Sequence, residues 1–178
     1  MVKDPINVIR GTKNRASGAE FERRVRKDLE DKGWIVDKWS NQVELLNLEH
    51  EIKHKDIIVG PIIGKIVPAK HKWNGPNRPM VFGTGFPDFL AFKKAFKLIG
   101  EQTDKVYEVI GVESKVNGYL DKKEREKCKW LLDNNIFSKI LIASKHKVKN
   151  KIVVEYDDFE EKYESSNVQI ANNKGDLE

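Results

Sequence analysis

The chain has one cysteine, Cys128, among 178 residues, so no disulfide can form within it. Only four histidines accompany that thiol, which leaves little from which to build a structural zinc site. Long apolar runs are missing too: none approaches the ~20 residues that span a bilayer. The opening Met1-Val-Lys-Asp-Pro5 is no secretory signal. These absences predict a soluble, cytoplasmic protein with no membrane partner. Carboxylates are lacking from residues 65–80, which carry Lys65, Lys70, His71, Lys72 and Arg78, whereas the C-terminal end is acidic. A patch of one sign attracts a polyanion, and phosphate backbones are the commonest polyanions inside cells. The net charge of +5 is modest by comparison. Lys and Glu are abundant while Gln and Cys are scarce, a bias of thermophilic proteins. The length suits a single domain with a real core, and the sequence shows no internal repeat.

Two stretches stand out. Gly83-Thr-Gly-Phe-Pro-Asp-Phe-Leu-Ala-Phe92 places Asp88 at the head of an apolar run, and Val109-Ile-Gly-Val-Glu-Ser-Lys115 ends another with Glu113 and Lys115. In a strand, residues two apart share a face. Glu113 and Lys115 therefore project together, with Val112 and Ser114 on the opposite side. Charge in such an apolar setting is costly unless it is paired or bound to a metal. The plain alternative is an ion pair on a solvated hairpin face, with Asp88 merely starting a strand.

Taken together, these residues resemble the PD-(D/E)xK nuclease superfamily, with Asp88 as first carboxylate, Glu113 as second and Lys115 as the lysine. The surrounding wording is most similar to archaeal Holliday-junction resolvase-like nucleases, over roughly 14–40 and 83–163. The resemblance implies an α/β, restriction-endonuclease-like core: a central mixed β-sheet flanked by helices in the order α-β-β-β-α-β. The resemblance lapses over residues 43–81, where glycines and prolines are too frequent for a long helix and an inserted hairpin or flap within a nuclease domain of residues 1–164 is expected; residues 165–178, without apolar periodicity, read as a disordered tail. The resemblance also implies metal-dependent hydrolysis of DNA, with Asp88, Glu113 and the main-chain carbonyl of Ser114 around Mg²⁺, for which Mn²⁺ can substitute. Families of this kind carry a helical glutamate that reaches the metal, a part for which Glu20 is the candidate. Resolvases act as homodimers on branched DNA, and a relative that keeps the fold but only binds nucleic acid is the alternative.

In chain order, residues 1–13 read as an arm. Phe21, Val25 and Leu29 predict a helix from Ser17 to Gly33. Ser17 and Glu20 also have the spacing of a capping box, the other reading of Glu20. Trp34–Trp39 reads as the first strand. In the insertion, Trp73 lies among Lys70, Lys72 and Arg78, an arrangement in which the ring can stack on a base while cations hold phosphates. The Asp88 strand runs through Phe92 and on toward Phe96, turns at Gly100–Asp104, and returns through Lys105–Lys115. Asp121 predicts the cap of a second helix reaching Asn134, with Cys128, Leu131 and Leu132 facing inward. Its first turn, with Lys122 and Lys123, adds nucleic-acid contacts. Lys139–Ala143 and Lys151–Glu155 read as a strand pair across a basic turn at 145–150, and Asp157 as the cap of a last helix with Phe159 and Tyr163.

Overall fold

The four-residue repeat of Phe21, Val25 and Leu29 forms one face of a helix, and all three side chains are buried. In the computed structural model, which describes residues 5–46, 62–70, 85–99 and 102–163, this helix, α1, spans Pro5–Asp31. It begins much earlier than the sequence pattern suggests. Residues 5–13 are helical instead of an arm, and Ser17 lies inside the helix, so no capping box forms at Ser17 and Glu20. Proline suits a first helical position because its missing amide needs no partner there. Gly11 and Gly18, each a penalty of about 1 kcal/mol in a helix, hide the continuity. The end is as expected. Gly33 adopts φ 84°, its N–H donates to Glu30 O and the Trp34 N–H donates to Leu29 O, the paired bonds of a glycine-closed helix end.

Chain reversal at Gly33 leads into β1 (Ile35–Lys38), which pairs antiparallel with β4 (Phe89–Ile99). Between them, β2 (Asn41–Leu45) and β3 (Gly64–Pro68) form a separate antiparallel pair, so the described ends of the insertion are a two-stranded sheet. Ile57–Val59, Lys72, Trp73 and Arg78 lie outside the described residues. Strand β5 (Gln102–Ser114) returns antiparallel to β4, from Ile99 opposite Gln102 to Phe89 opposite Val112. Asp104, expected in the turn, is therefore part of the strand.

Asp121 caps α2 (Lys122–Asp133). The helix crosses to β6 (Lys139–Val148), which is parallel to β5 from Ile110 opposite Lys139 to Ser114 opposite Ala143. Strand β7 (Lys151–Asp158) follows antiparallel, and α3 (Phe159–Tyr163) closes the described chain. Both hairpin strands are longer than expected: 145–148 belong to β6, leaving only Lys149 and Asn150 to turn. Lys149 takes φ 54° at the tip. At α3, Asp158 rather than Asp157 accepts the Glu160 N–H, because the strand runs three residues past Glu155.

The result is an α/β fold with a mixed five-stranded sheet ordered β1-β4-β5-β6-β7. Alternation along its central strands divides the core between two faces. Phe89, Ala91, Ile110, Val112 and Ala143 pack beneath the α1 stripe. On the other side, Ile140 and Ile142 meet Cys128 and Leu131 of α2 together with Phe137. Trp130, absent from the expected inward stripe, is also buried there, whereas Leu132 is only partly covered. Truncating a side chain such as Leu29 or Leu131 would remove about 2–5 kcal/mol of stability. Among the described residues no helix is long and apolar enough to cross a membrane.

Candidate active site

Asp88 and Glu113 meet because β4 starts where β5 ends. Phe89 opposes Val112, which sets Asp88 beside Glu113 at one end of the sheet. The segment before Asp88 is held closely. Phe86 N–H donates to Asn41 O, Trp39 N–H donates to Asp88 O, and the Phe86–Pro87 peptide is cis. Two glycines permit this approach. A Cβ at Gly85 would lie 2.1 Å from Trp39 O and 2.4 Å from Asn41 O, and one at Gly111 would lie 2.8 Å from Pro87 Cγ. Either side chain would displace the very residues that present Asp88.

The carboxylates are cross-braced by each other's strands. Asp88 N–H donates to Glu113 Oε2 at 3.0 Å, and Ser114 N–H donates to Asp88 Oδ2 at 3.0 Å. Both groups are more than nine-tenths hidden from solvent, at 8% and 5% exposure. Lys115 Nζ lies 3.2 Å from Glu113 Oε1 and donates to Glu124 Oε1 at 2.5 Å. Lys38 Nζ stands 3.9 Å from Asp88 Oδ1 and also pairs with Glu22. A bare ion pair on a solvated hairpin would show none of this burial or bracing.

Electrostatics follow from that setting. Burial raises the Asp88 pKa, the nearby charge of Glu22 adds to the rise, and the Ser114 amide, Lys38 and Lys115 oppose it. Burial likewise pushes Glu113 up to about 8, helped by Asp88 and opposed by Lys115. For Lys115, burial favours the neutral form, but the Glu124 hydrogen bond and the charge of Glu113 outweigh it and leave its pKa above the ordinary value. Burial also raises the Cys128 thiol far above its usual range, with Glu113 and Glu124 adding to the effect. That thiol is a small core group, not a nucleophile.

Glu20 does not join the cluster. Its carboxylate is exposed and accepts the guanidinium of Arg24 at 2.6 Å, which holds its pKa below the ordinary value. The helical carboxylate beside Asp88 is Glu22. With 100° per residue, Glu22 falls roughly 60° from the buried Phe21-Val25-Leu29 stripe and Glu20 roughly 140° away. The signal was therefore in the helical phase, which the apparent capping box obscured. Glu124 was also missed as a site residue. It accepts the Asp121 N–H through Oε2 while holding Lys115 through Oε1, so one carboxylate both starts α2 and steadies the lysine. Lys127, one turn on, sits over the Phe86 ring at 5.2 Å and has a pKa lowered by burial and then by Lys123.

Of the expected nucleic-acid contacts, Lys70 is exposed just after β3, and Lys122 and Lys123 are exposed on the first turn of α2. Lys122 lies 3.9 Å from Glu126. Among the described residues, no three His, Cys, Asp or Glu side chains converge to enclose a cation. The donor set at the site is thus two hard carboxylates with a neighbouring main chain. That suits Mg²⁺, which keeps several waters and commonly takes one or two carboxylates, better than a metal needing a full protein cage. Compared with family models, curated proteins and solved structures, the chain matches none.

Proposed function

We propose that this protein is a metal-dependent DNA endonuclease of the PD-(D/E)xK type, built on a restriction-endonuclease-like core. The observation carrying the reading is the buried pair Asp88 and Glu113, braced by main-chain amides and bordered by Lys115. Two carboxylates crowded in a site that raises both pKa values are poorly placed for stability alone. A divalent cation would relieve their repulsion. The element order, with three core strands before α2 and a parallel strand after it, supports the same reading.

Asp88 and Glu113 would hold Mg²⁺ or Mn²⁺, with the main-chain carbonyl of Ser114 as a third donor. When bound, the cation supplies charge neutralisation at the phosphate and lowers the pKa of water. Lys115, kept protonated by Glu113 and Glu124, orients the attacking water or offsets charge growing on the phosphate oxygens, worth roughly a few kcal/mol in such settings. Glu124 maintains the reach of that ammonium by fixing it to the start of α2. Lys38 faces the other side of Asp88 and keeps Glu22 close. Branched DNA, cut by a homodimer with one site per strand, is the substrate class that the resolvase resemblance suggests.

The test is cleavage of labelled single-stranded, linear duplex, flap and four-way-junction DNA by wild type and Asp88→Ala, with Mg²⁺, Mn²⁺ or chelator. Metal-dependent cutting that disappears in the variant is expected. Binding without cleavage under every metal condition would refute the nuclease and leave a nucleic-acid-binding module.

A further inference from the structure

Two basic projections leave the sheet at the end where Asp88, Glu113 and Lys115 lie. The first is the front of α1. Glu22 pairs with Lys38 close to Asp88, whereas Arg26, one turn later, donates from Nη2 to Val36 O, so the helix runs away from the site as it proceeds. The residues before Glu22 therefore extend past the site. Phe21 is the first described side chain of α1 to be buried. At 1.5 Å per residue, Pro5–Glu20 reaches about 24 Å beyond it. From Pro5 to Ala19 the helix includes Arg10, Lys13 and Arg15 and no carboxylate.

The second projection is the β6–β7 hairpin. Strand β5 ends at Ser114 opposite Ala143, so β6 continues alone beside β7 from Ser144 onward. The Lys145 N–H donates to Val116 O, one residue after Lys115, which roots the hairpin next to the site. Lys145, Lys147 and Lys149 follow at alternate positions, and no carboxylate occurs from Ser144 to Val154. Four residues of strand carry the tip about 13 Å past Ser144, and on the β7 side Ile152, Val153 and Val154 line a groove with Arg24, Lys27, Asp28 and Asp31 of α1. His146 pairs with Glu155, whereas Lys147 and Lys149 form no ion pair among the described residues. Val154, opposite Lys145 in the hairpin, lines that groove with Arg24, so the two projections stand close at their roots.

We infer that the front of α1 and the β6–β7 hairpin are paired arms that grip the phosphate backbone of duplex DNA on either side of the Asp88–Glu113 site. This deepens the nuclease reading and rests on it for the position of the scissile phosphate. A nucleic-acid backbone is favoured over an acidic protein because Arg10, Lys13 and Arg15 on one arm and Lys145, Lys147 and Lys149 on the other form runs that no carboxylate interrupts in sequence, and both arms flank the candidate phosphodiester site. The lysines act on phosphate as point charges and Arg10 and Arg15 as forked donors, so through the backbone the arms position the duplex rather than read its sequence.

The experiment measures binding in chelator, which separates it from cleavage. Labelled duplex is titrated with the full chain between 50 and 200 mM salt, using wild type, Lys145→Gln/Lys147→Gln/Lys149→Gln and the matching triple Arg variant. Each lost phosphate contact removes about 0.9 from the slope of log affinity against log salt. The Gln triple should lose about 2.7, so that across this range its affinity falls ~40-fold less than that of wild type, and the Arg triple should keep the wild-type slope. Arg10→Gln/Lys13→Gln/Arg15→Gln should behave like the first triple. An unchanged slope in either Gln triple overturns the paired arms. Equal loss in the Arg and Gln triples overturns the charge argument, since shape would then be responsible. Polyglutamate that displaces labelled duplex as well as unlabelled duplex does, at equal charge, would overturn it in favour of an acidic protein partner. Cleavage absent from wild type with duplex binding intact would refute the nuclease and leave the arms standing.

Discussion

Replacing Glu113 by Gln tests whether the site is built as a charged pocket. The side chain is 5% exposed, and burial followed by the charge of Asp88 pushes its pKa up to about 8. An unfolded glutamate titrates near 4.5. Because the folded value is the higher one, the folded protein holds a proton that the unfolded chain has released. Stability contributed by that proton is fully present below about pH 4.5 and is lost as pH rises through about 8. One proton over this window, at ~1.4 kcal/mol per pH unit, amounts to about 3 kcal/mol between pH 5 and 8 in the absence of metal. Asp88, shifted in the same direction, adds to the trend. Gln keeps the size and can still accept the Asp88 N–H, but it does not titrate. Urea unfolding in chelator at pH 5, 6, 7 and 8 should therefore show wild type weakening with pH and the variant weakening much less. Wild-type stability that is flat or rises over this range, or an equal slope in the variant, would refute the account of Glu113 as a buried carboxylate awaiting a cation.

Three other outcomes are expected. Glu22→Gln should lower metal-dependent cleavage at least tenfold, while Glu20→Gln, which disturbs only an exposed pair with Arg24, should leave it within about twofold; single-turnover rates on the preferred DNA decide between the two. Gly85→Ala should lose about 3 kcal/mol or more in denaturant unfolding, because its Cβ would strike two main-chain carbonyls that cannot turn aside, and a loss under 1 kcal/mol would contradict that packing. Asp121→Ala should cost about 1 kcal/mol, because it removes the side-chain oxygen that accepts the Glu124 N–H while leaving the main-chain N–H that Glu124 accepts; unchanged stability would mean that the cap is not formed in solution.

Local pattern was enough to identify several parts of this molecule. The apolar repeat of α1, the left-handed stop at Gly33, the Asp121 cap and the alternation that sends Glu113 and Lys115 to one face all depend on residues within a turn or two of each other. Such features follow from backbone sterics and nearby hydrogen bonds. The start of α1 did not, since two glycines interrupt the pattern and the capping spacing at Ser17 and Glu20 mimics a real helix beginning. Strand lengths were also underread at β6 and β7, where a polar lysine run is carried by pairing rather than by burial.

The candidate site draws on residues far apart in the chain. Asp88 and Glu113 are 25 positions apart, and their mutual bracing depends on the register of Phe89 with Val112. The choice of Glu22 over Glu20 depends on how α1 rotates onto its sheet and on Lys38, whose strand is joined to that helix through the turn at Gly33. Likewise, Glu124 gains its second role only because α2 returns across β5 and brings its first turn to Lys115. Sequence alone determined which side chains were able to carry charge and which faces had to be buried. Tertiary structure decided which charges share one low-dielectric space, since that depends on register, helix phase and crossover, none of which is encoded within a single local stretch.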